Sequence, residues 1–160
     1  MFIRKADINE VDEICYIYEK ARKFMVEAGN PTQWASGYPK RELVIDDIQK
    51  GECYVCVDED KIAAVFNFFV GNEPTYDVIY EGNWLNNAPY GVVHRIAVNV
   101  HQKGVASFCI NWCKKQFANL KIDTHKDNIP MQKTILKNGF VYCGIIKKPD
   151  GSSRLAYQMA

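Results

Sequence analysis

The sequence predicts a mixed α/β fold in a single domain spanning residues 1–160, and three observations carry that expectation. Hydrophobic patterning alternates between helical spacing and short β-branched or aromatic runs, giving the element order β α α β β β α β α β β. No internal repeat, low-complexity tract or interdomain linker interrupts the order. With 160 residues, 48% of them hydrophobic and 24% charged, the chain has an ordinary globular composition and is long enough for one well-formed core.

Residues 2–5 (FIRK) read as a short first strand. Asp7 with Glu10 three positions on has the spacing of a capping box, and Ile8, Val11, Ile14, Cys15, Tyr18, Ala21 and Met25 recur at helical spacing until Gly29 and Pro31 close the pattern. This helix runs to about residue 27. After the aromatic and turn-rich TQWASGYP, KRELVIDDIQK reads as a second helix stopped by Gly51. CYVCVD and KIAAVFNFFVG are two strands around the charged turn DEDK. Residues 71–89 form a long polar and aromatic excursion, of a length often functional, and are expected to wall a pocket. YGVVHRIAVNV is the clearest central strand, apolar except for His94 and Arg95, and runs directly into HQKGVAS, where a third helix begins and continues to about Ala118. LKIDTH is a strand and DNIPMQKTILKNG a helix; FVYCGIIKK and SRLAYQM are two closing strands around PDGS.

Composition excludes several classes of function. Twenty basic and nineteen acidic residues nearly cancel, which argues against a nucleic-acid or anionic-membrane partner. No segment reaches the ~20 apolar residues of a membrane span and none reads as a signal peptide, so a cytoplasmic location is expected. In that setting the six cysteines read as reduced thiols used as small hydrophobes, and no metal site is expected. Cys53 and Cys56 are three apart in a strand and should face opposite sides of the sheet. Cys109 and Cys113 share a helix face with Val105, Ala106 and Ile110.

The chemistry points to the junction of strand, HQKGVAS and helix. A glycine at closest approach, followed at once by a helix N-terminus, offers backbone N–H groups and the positive end of the helix dipole to an anion. Gly104 permits the approach, Ala106 is small, Ser107 can donate its hydroxyl, and Lys103 adds positive charge. A glycine there can equally be a plain turn. A second strand-to-helix junction carrying Asn128 follows about twenty residues on, and neither the P-loop nor the dinucleotide fingerprint is present.

With these elements the sequence resembles the GNAT acyltransferases over its whole length. The family loop, Arg or Gln, two residues, Gly, one residue, Gly or Ala, becomes His101, Gln102, Lys103, Gly104, Val105, Ala106, with His101 departing from the usual residue. RIAV at 95–98 looks like the family's fourth strand, and DTHKDN with NGF is similar to its second motif. The resemblance implies a twisted, mostly antiparallel sheet of six to seven strands flanked by about four helices. It also implies acyl-CoA, acetyl-CoA in the first instance, as cosubstrate for transfer to a primary amine of a small molecule or peptide. The loop from His101 to Ser107 and the backbone of Ile96, Ala97 and Val98 would hold the cosubstrate, with Asn128 on its pantetheine chain. The amide N–H groups of Ile96 to Val98 would polarise the thioester, because the family parts its two central strands.

Direct aminolysis needs a neutral amine, oxyanion stabilisation and a proton for the thiolate. His94 is the favoured base, since imidazole can accept a proton at neutral pH; the alternative is a satisfied core histidine. His125 is a second candidate, and Glu81 and Asp77 could act through water. The family's usual Tyr acid is replaced by Ile135, leaving Tyr142 as a substitute if its hydroxyl reaches the sulfur. Trp34, Tyr38, Tyr76, Tyr80, Glu81 and Trp84 could enclose and attract the acceptor, or anchor their loops. Two other readings stand beside the transferase: a non-catalytic acyl-CoA sensor, and a site for another phosphorylated ligand. A homodimer through the last strands is compatible with the pattern.

Overall fold

The computed structural model describes residues 1–34, 37–99 and 103–160. The elements run in the expected order: β1 (Phe2–Lys5), α1 (Val11–Glu27), α2 (Arg41–Gln49), β2 (Cys53–Asp58), β3 (Lys61–Val70), β4 (Gly91–Val98), α3 (Val105–Gln116), β5 (Leu120–Thr124), α4 (Ile129–Lys137), β6 (Val141–Lys147) and β7 (Ser153–Met159). The capping box forms, with Asp7 and Glu10 bonded reciprocally, but it caps a single 3-10 turn, Ile8–Glu10, that leads into α1.

The strands form one seven-stranded sheet in the order β1-β2-β3-β4-β5-β7-β6. Neighbours are antiparallel except β4 and β5, which are parallel. On one face α1 and α2 bury Ile14, Ile17, Tyr18 and Val44 against Val55, Val65 and Ala97. On the other, α3 buries Val105, Cys109, Ile110 and Cys113 against Phe66, Phe68 and Ile122, and Ile135 of α4 joins them. Each such large apolar side chain, fully buried, contributes about 1.5–3 kcal/mol. The six cysteines are free; Cys53 enters the first core and Cys56 the second, as their spacing requires.

Two irregularities in β4 shape the centre of the molecule. β4 pairs with β5 only at Gly91–Val92 against Leu120–Lys121, after which the strands part. Towards β3, Asn67 pairs with His94 but Val65 pairs with Ala97, so β4 carries one extra residue there. Arg95 sits in this bulge with φ of +51°, a left-handed conformation costly for a residue with a side chain. Its guanidinium is held by Asp47 of α2 at 2.5 Å and lies 3.4 Å from the Tyr38 hydroxyl. The Asn67 amide, oriented to donate to the Glu52 carbonyl at 2.9 Å, accepts from Arg95 at 3.3 Å.

Candidate active site

Where β4 and β5 part, a cavity of about 440 Å³ opens between the C-terminal half of α1, residues 96–98 of β4, and the first turns of α3 and α4. Gly104 is the residue before α3, with φ of +89°, and a Cβ there would meet nothing within 4 Å. No side chain caps α3, so the backbone donors of its first turn are left for an anion, at the positive end of the helix. Ser107 accepts a hydrogen bond from the Asn138 amide at 3.0 Å, which leaves its own hydroxyl proton to donate. Lys103 and Lys137 line the same cavity. Among the described residues the edge of β4 beyond Val92 has no strand partner on the β5 side, and its backbone polar groups there are available to a ligand.

A second cavity, about 620 Å³, adjoins the first and shares Met25, Ile96, Asn128 and Met131 with it. Its floor is His94 of β4, Asp123 of β5 and Arg154 of β7; Trp34 and Tyr38 stand on one side, and Glu73, Pro74 and Thr75 on another. His94 Nε2 lies 3.0 Å from a Glu73 carboxylate oxygen, and the ring packs near Tyr76 and Phe69. The neutral ring therefore carries its proton on Nε2 and donates it to Glu73, leaving Nδ1, which has no partner among the described residues, as an acceptor. The His94 bond, opposed by burial, holds the Glu73 carboxyl below its ordinary value. Tyr76, buried, donates to Asp123 at 2.6 Å, and Lys148 lies 3.5 Å from the same carboxylate. Burial works to raise the Asp123 carboxyl, but the Lys148 ammonium, the His94 ring when protonated, the Tyr76 hydroxyl and the Arg154 guanidinium together hold it below its ordinary value.

Two adjoining cavities, one ending on an uncapped helix terminus and the other on a paired imidazole and carboxylate, suit a two-substrate transfer. The structure superimposes on that of a GNAT-family acetyltransferase from Streptococcus agalactiae with a TM-score of 0.90, at 36% identity over 99% of this chain and 94% of that one. The chain belongs to the GNAT family of acetyltransferases. A Staphylococcus aureus protein with 26% identity (TM-score 0.70, 99% and 97% of the two chains) shares the GNAT fold. So does the GNAT-like decarboxylase GphF, solved in complex with isobutyryl-CoA, at 13% identity (TM-score 0.70, 100% and 99%). No protein-family profile and no curated protein matches the sequence.

Set against the GNAT pattern, the residues expected to hold acyl-CoA converge on the first cavity: Ile96, Ala97, Val98, Lys103, Gly104, Val105, Ala106, Ser107 and Asn128 all line it. His101 and Gln102 lie outside the described residues. Asn128 is largely committed. Its side chain caps α4 by accepting from Met131 N at 3.1 Å and donates to Gln33 at 2.8 Å, so one amide proton remains for a ligand.

Several of the other expected residues stand elsewhere. Tyr142 lies on the outer strand β6, half exposed, packed edge-on against Tyr157, and lines neither cavity. Its hydroxyl is not brought to the site. His125 is buried outside both cavities, with Nδ1 accepting from Asp127 N at 3.0 Å and Nε2 bonded to Thr32 at 2.9 Å. It ties the α1–α2 loop to the β5–α4 junction, and burial together with the Arg154 charge lowers its pKa. Trp34 and Tyr38 do wall the second cavity. Tyr80, Glu81 and Trp84 do not: Tyr80 bridges to Ile145 of β6, Glu81 is an exposed turn residue at φ of +56°, and Trp84 packs over Lys121 while donating to the Tyr76 carbonyl. Asp77, likewise, is outside the lining. The 71–89 excursion does supply a wall, but through Glu73 to Thr75 at its start, and Tyr76 supports that wall from beneath. Sequence reading passed over Glu73, Asp123 and Arg154; a buried acid inside the apolar run LKIDT was the available signal for Asp123.

Proposed function

We propose that the protein transfers an acyl group, acetyl in the first instance, from an acyl-CoA to a primary amine by direct attack. The observation that carries this reading is the meeting of the two cavities at Ile96, beside the parted edge of β4, with an anion cradle on one side and the His94–Glu73 pair on the other. The cradle at Gly104 to Ser107 suits the phosphates of CoA, and the open β4 edge suits its amide-bearing arm as an added strand. Solved GNAT-fold proteins support the cosubstrate and the acceptor class: GphF was solved with isobutyryl-CoA, one neighbour is an agmatine N-acetyltransferase, and another is the NatC complex bound to Gag peptide and CoA.

In this reading the acceptor enters the larger cavity as an ammonium and gives a proton to His94 Nδ1, directly or through one water. Glu73 holds the ring in the required tautomer and stabilises the imidazolium that forms. The neutral nitrogen attacks the thioester carbon; unpaired β4 amides receive the developing oxyanion; collapse breaks the C–S bond and releases CoA thiolate, while the nitrogen gives up its second proton to water to leave a neutral amide. No tyrosine is needed for that departure, because the thiolate can leave unprotonated and then take, through water, the proton that the nitrogen has given up. The test is thiol release from acetyl-CoA with a panel of amino acids, polyamines, aminoglycosides and short peptides. Release with any acceptor, cut at least about tenfold by His94→Ala without loss of CoA affinity, is expected. Tight CoA binding with no turnover would instead favour a sensor, and absence of CoA binding would sink the reading.

A further inference from the structure

Resting on the transfer reading, we infer that the acceptor is an amino acid, whose carboxylate is taken by Arg154 while its amine is presented to the His94–Glu73 pair. The argument starts from the charges of the larger cavity. Glu73 is bonded to His94, Asp123 to Lys148 and Tyr76, and Arg95 to Asp47. Arg154 is the exception. It is 7% exposed, lines the cavity floor, and makes no ion pair with a carboxylate among the described residues. Its partners are neutral: Ser152 Oγ at 3.2 Å, the Ser153 carbonyl at 2.9 Å and the Gln33 carbonyl at 2.9 Å. Asp150, exposed and lining the same cavity, is bridged to it by the Ser152 hydroxyl. Hydrogen bonds from Ser152 and then the Arg154 charge lower the Asp150 carboxyl, and the Arg154 charge is also among those that lower Asp123, yet neither carboxylate forms an ion pair with the guanidinium.

A guanidinium has five N–H donors, and three are used here, two on Nη1 and one on Nη2. Among the described residues the Nε–H and the second Nη2–H have no partner, and Nε is not among the buried atoms sealed from solvent without a partner. A buried cation with donors left over, facing an open cavity, is matched by a carboxylate, which can accept two parallel N–H bonds. At the other end of the floor, Glu73 beside a neutral imidazole leaves one negative charge, which favours an ammonium. A zwitterion satisfies both ends. The sheet order places His94 on β4 and Arg154 on β7, with β5 between them, and both side chains line the same cavity. A purely cationic amine would leave the spare Arg154 donors unused and meet the repulsion of its charge.

The experiment compares matched acceptors that differ only by the carboxylate, such as arginine with agmatine and phenylalanine with phenethylamine, by thiol release from acetyl-CoA. The expected result is a kcat/KM preference for the carboxylate-bearing member. Arg154→Gln shrinks that preference about 10- to 100-fold, the worth of a charge-assisted hydrogen bond, and Arg154→Lys restores part of it. Equal use of both members, preference for the decarboxylated one, or an equal fall for both in Arg154→Gln would overturn the inference while leaving acyl transfer intact. If Arg154→Gln does not fold, the wild-type preference alone decides. Absence of thiol release with every acceptor, though acetyl-CoA binds, overturns the transfer reading itself and this inference with it.

Discussion

Replacing Glu73 by glutamine removes a charge while keeping the side-chain shape, and so isolates what the carboxylate does for His94. In the native protein the carboxylate can only accept, which fixes the proton of a neutral ring on Nε2, 3.0 Å away, and leaves Nδ1 as the lone pair that the proposed transfer uses as its base. A carboxamide can donate to Nε2 instead, which moves the ring proton to Nδ1 and removes the acceptor from the site. The bond is charge-assisted, worth about 1.5–3 kcal/mol, and each ~1.36 kcal/mol is tenfold in rate. Glu73→Gln should therefore lower kcat about 10- to 150-fold, measured as thiol release at saturating acetyl-CoA. Glu73 lies outside the first cavity, so the KM for acetyl-CoA should stay within about twofold. His94→Gln should lose up to the roughly 10²–10⁴ that general-base catalysis supplies. Because the two groups act as a unit, the double variant should lose no more than the worse single one. Losses that multiply, or a Glu73→Gln enzyme within about threefold of wild type beside a crippled His94→Gln, would refute the coupling.

Other perturbations probe the parts around this pair. Tyr142→Phe should leave kcat within about twofold, since the ring packs on Tyr157 away from both cavities; a tenfold loss would return the hydroxyl to the mechanism. His125→Ala strips partners from the Asp127 amide and Thr32, costing about 1–3 kcal/mol by chemical denaturation at pH 8. The cost should shrink towards pH 5. Burial lowers the His125 pKa in the folded state, so below the ordinary value of 6.5 the unfolded chain binds the proton first and the native histidine contributes less as pH falls. A cost independent of pH would contradict that assignment. Gly82→Ala would set a Cβ 1.9 Å from the Cys143 carbonyl oxygen, a backbone atom that no side-chain rotation can move away. The 71–89 excursion must then shift, and both thermal stability and kcat should fall because Glu73 belongs to the same excursion; unchanged kcat would mean that its start is held independently of its end.

What was legible in the sequence follows from how locally each feature is encoded. The element order is written in periodicity, and the α3 cradle in a glycine at a strand-to-helix junction, so both could be read from neighbouring residues. The partner of His94 could not: Glu73 is 21 residues away, and composition alone could not tell it from Glu81 in the same excursion. Arg154 left a fainter mark. In SRLAYQM strict alternation groups it with Ala156 and Gln158, all three buried, so the inward row of a short closing strand already held two polar residues that needed partners. The bulge at Arg95 left none, since neither glycine nor proline announces it. Its left-handed φ costs about 1–3 kcal/mol, offset by the ion pair to Asp47, 48 positions earlier in the chain. That single extra residue decides the faces of β4. Val92 and Ala97 both pack on the side that carries α1 and the acceptor cavity, although regular alternation would set them on opposite sides. The bulge thus lets His94 face the acceptor while Ile96, two residues on, packs into the opposite core and still edges both cavities. A one-residue slip that local propensity does not encode is what brings His94 and the parted edge of β4 to a common point.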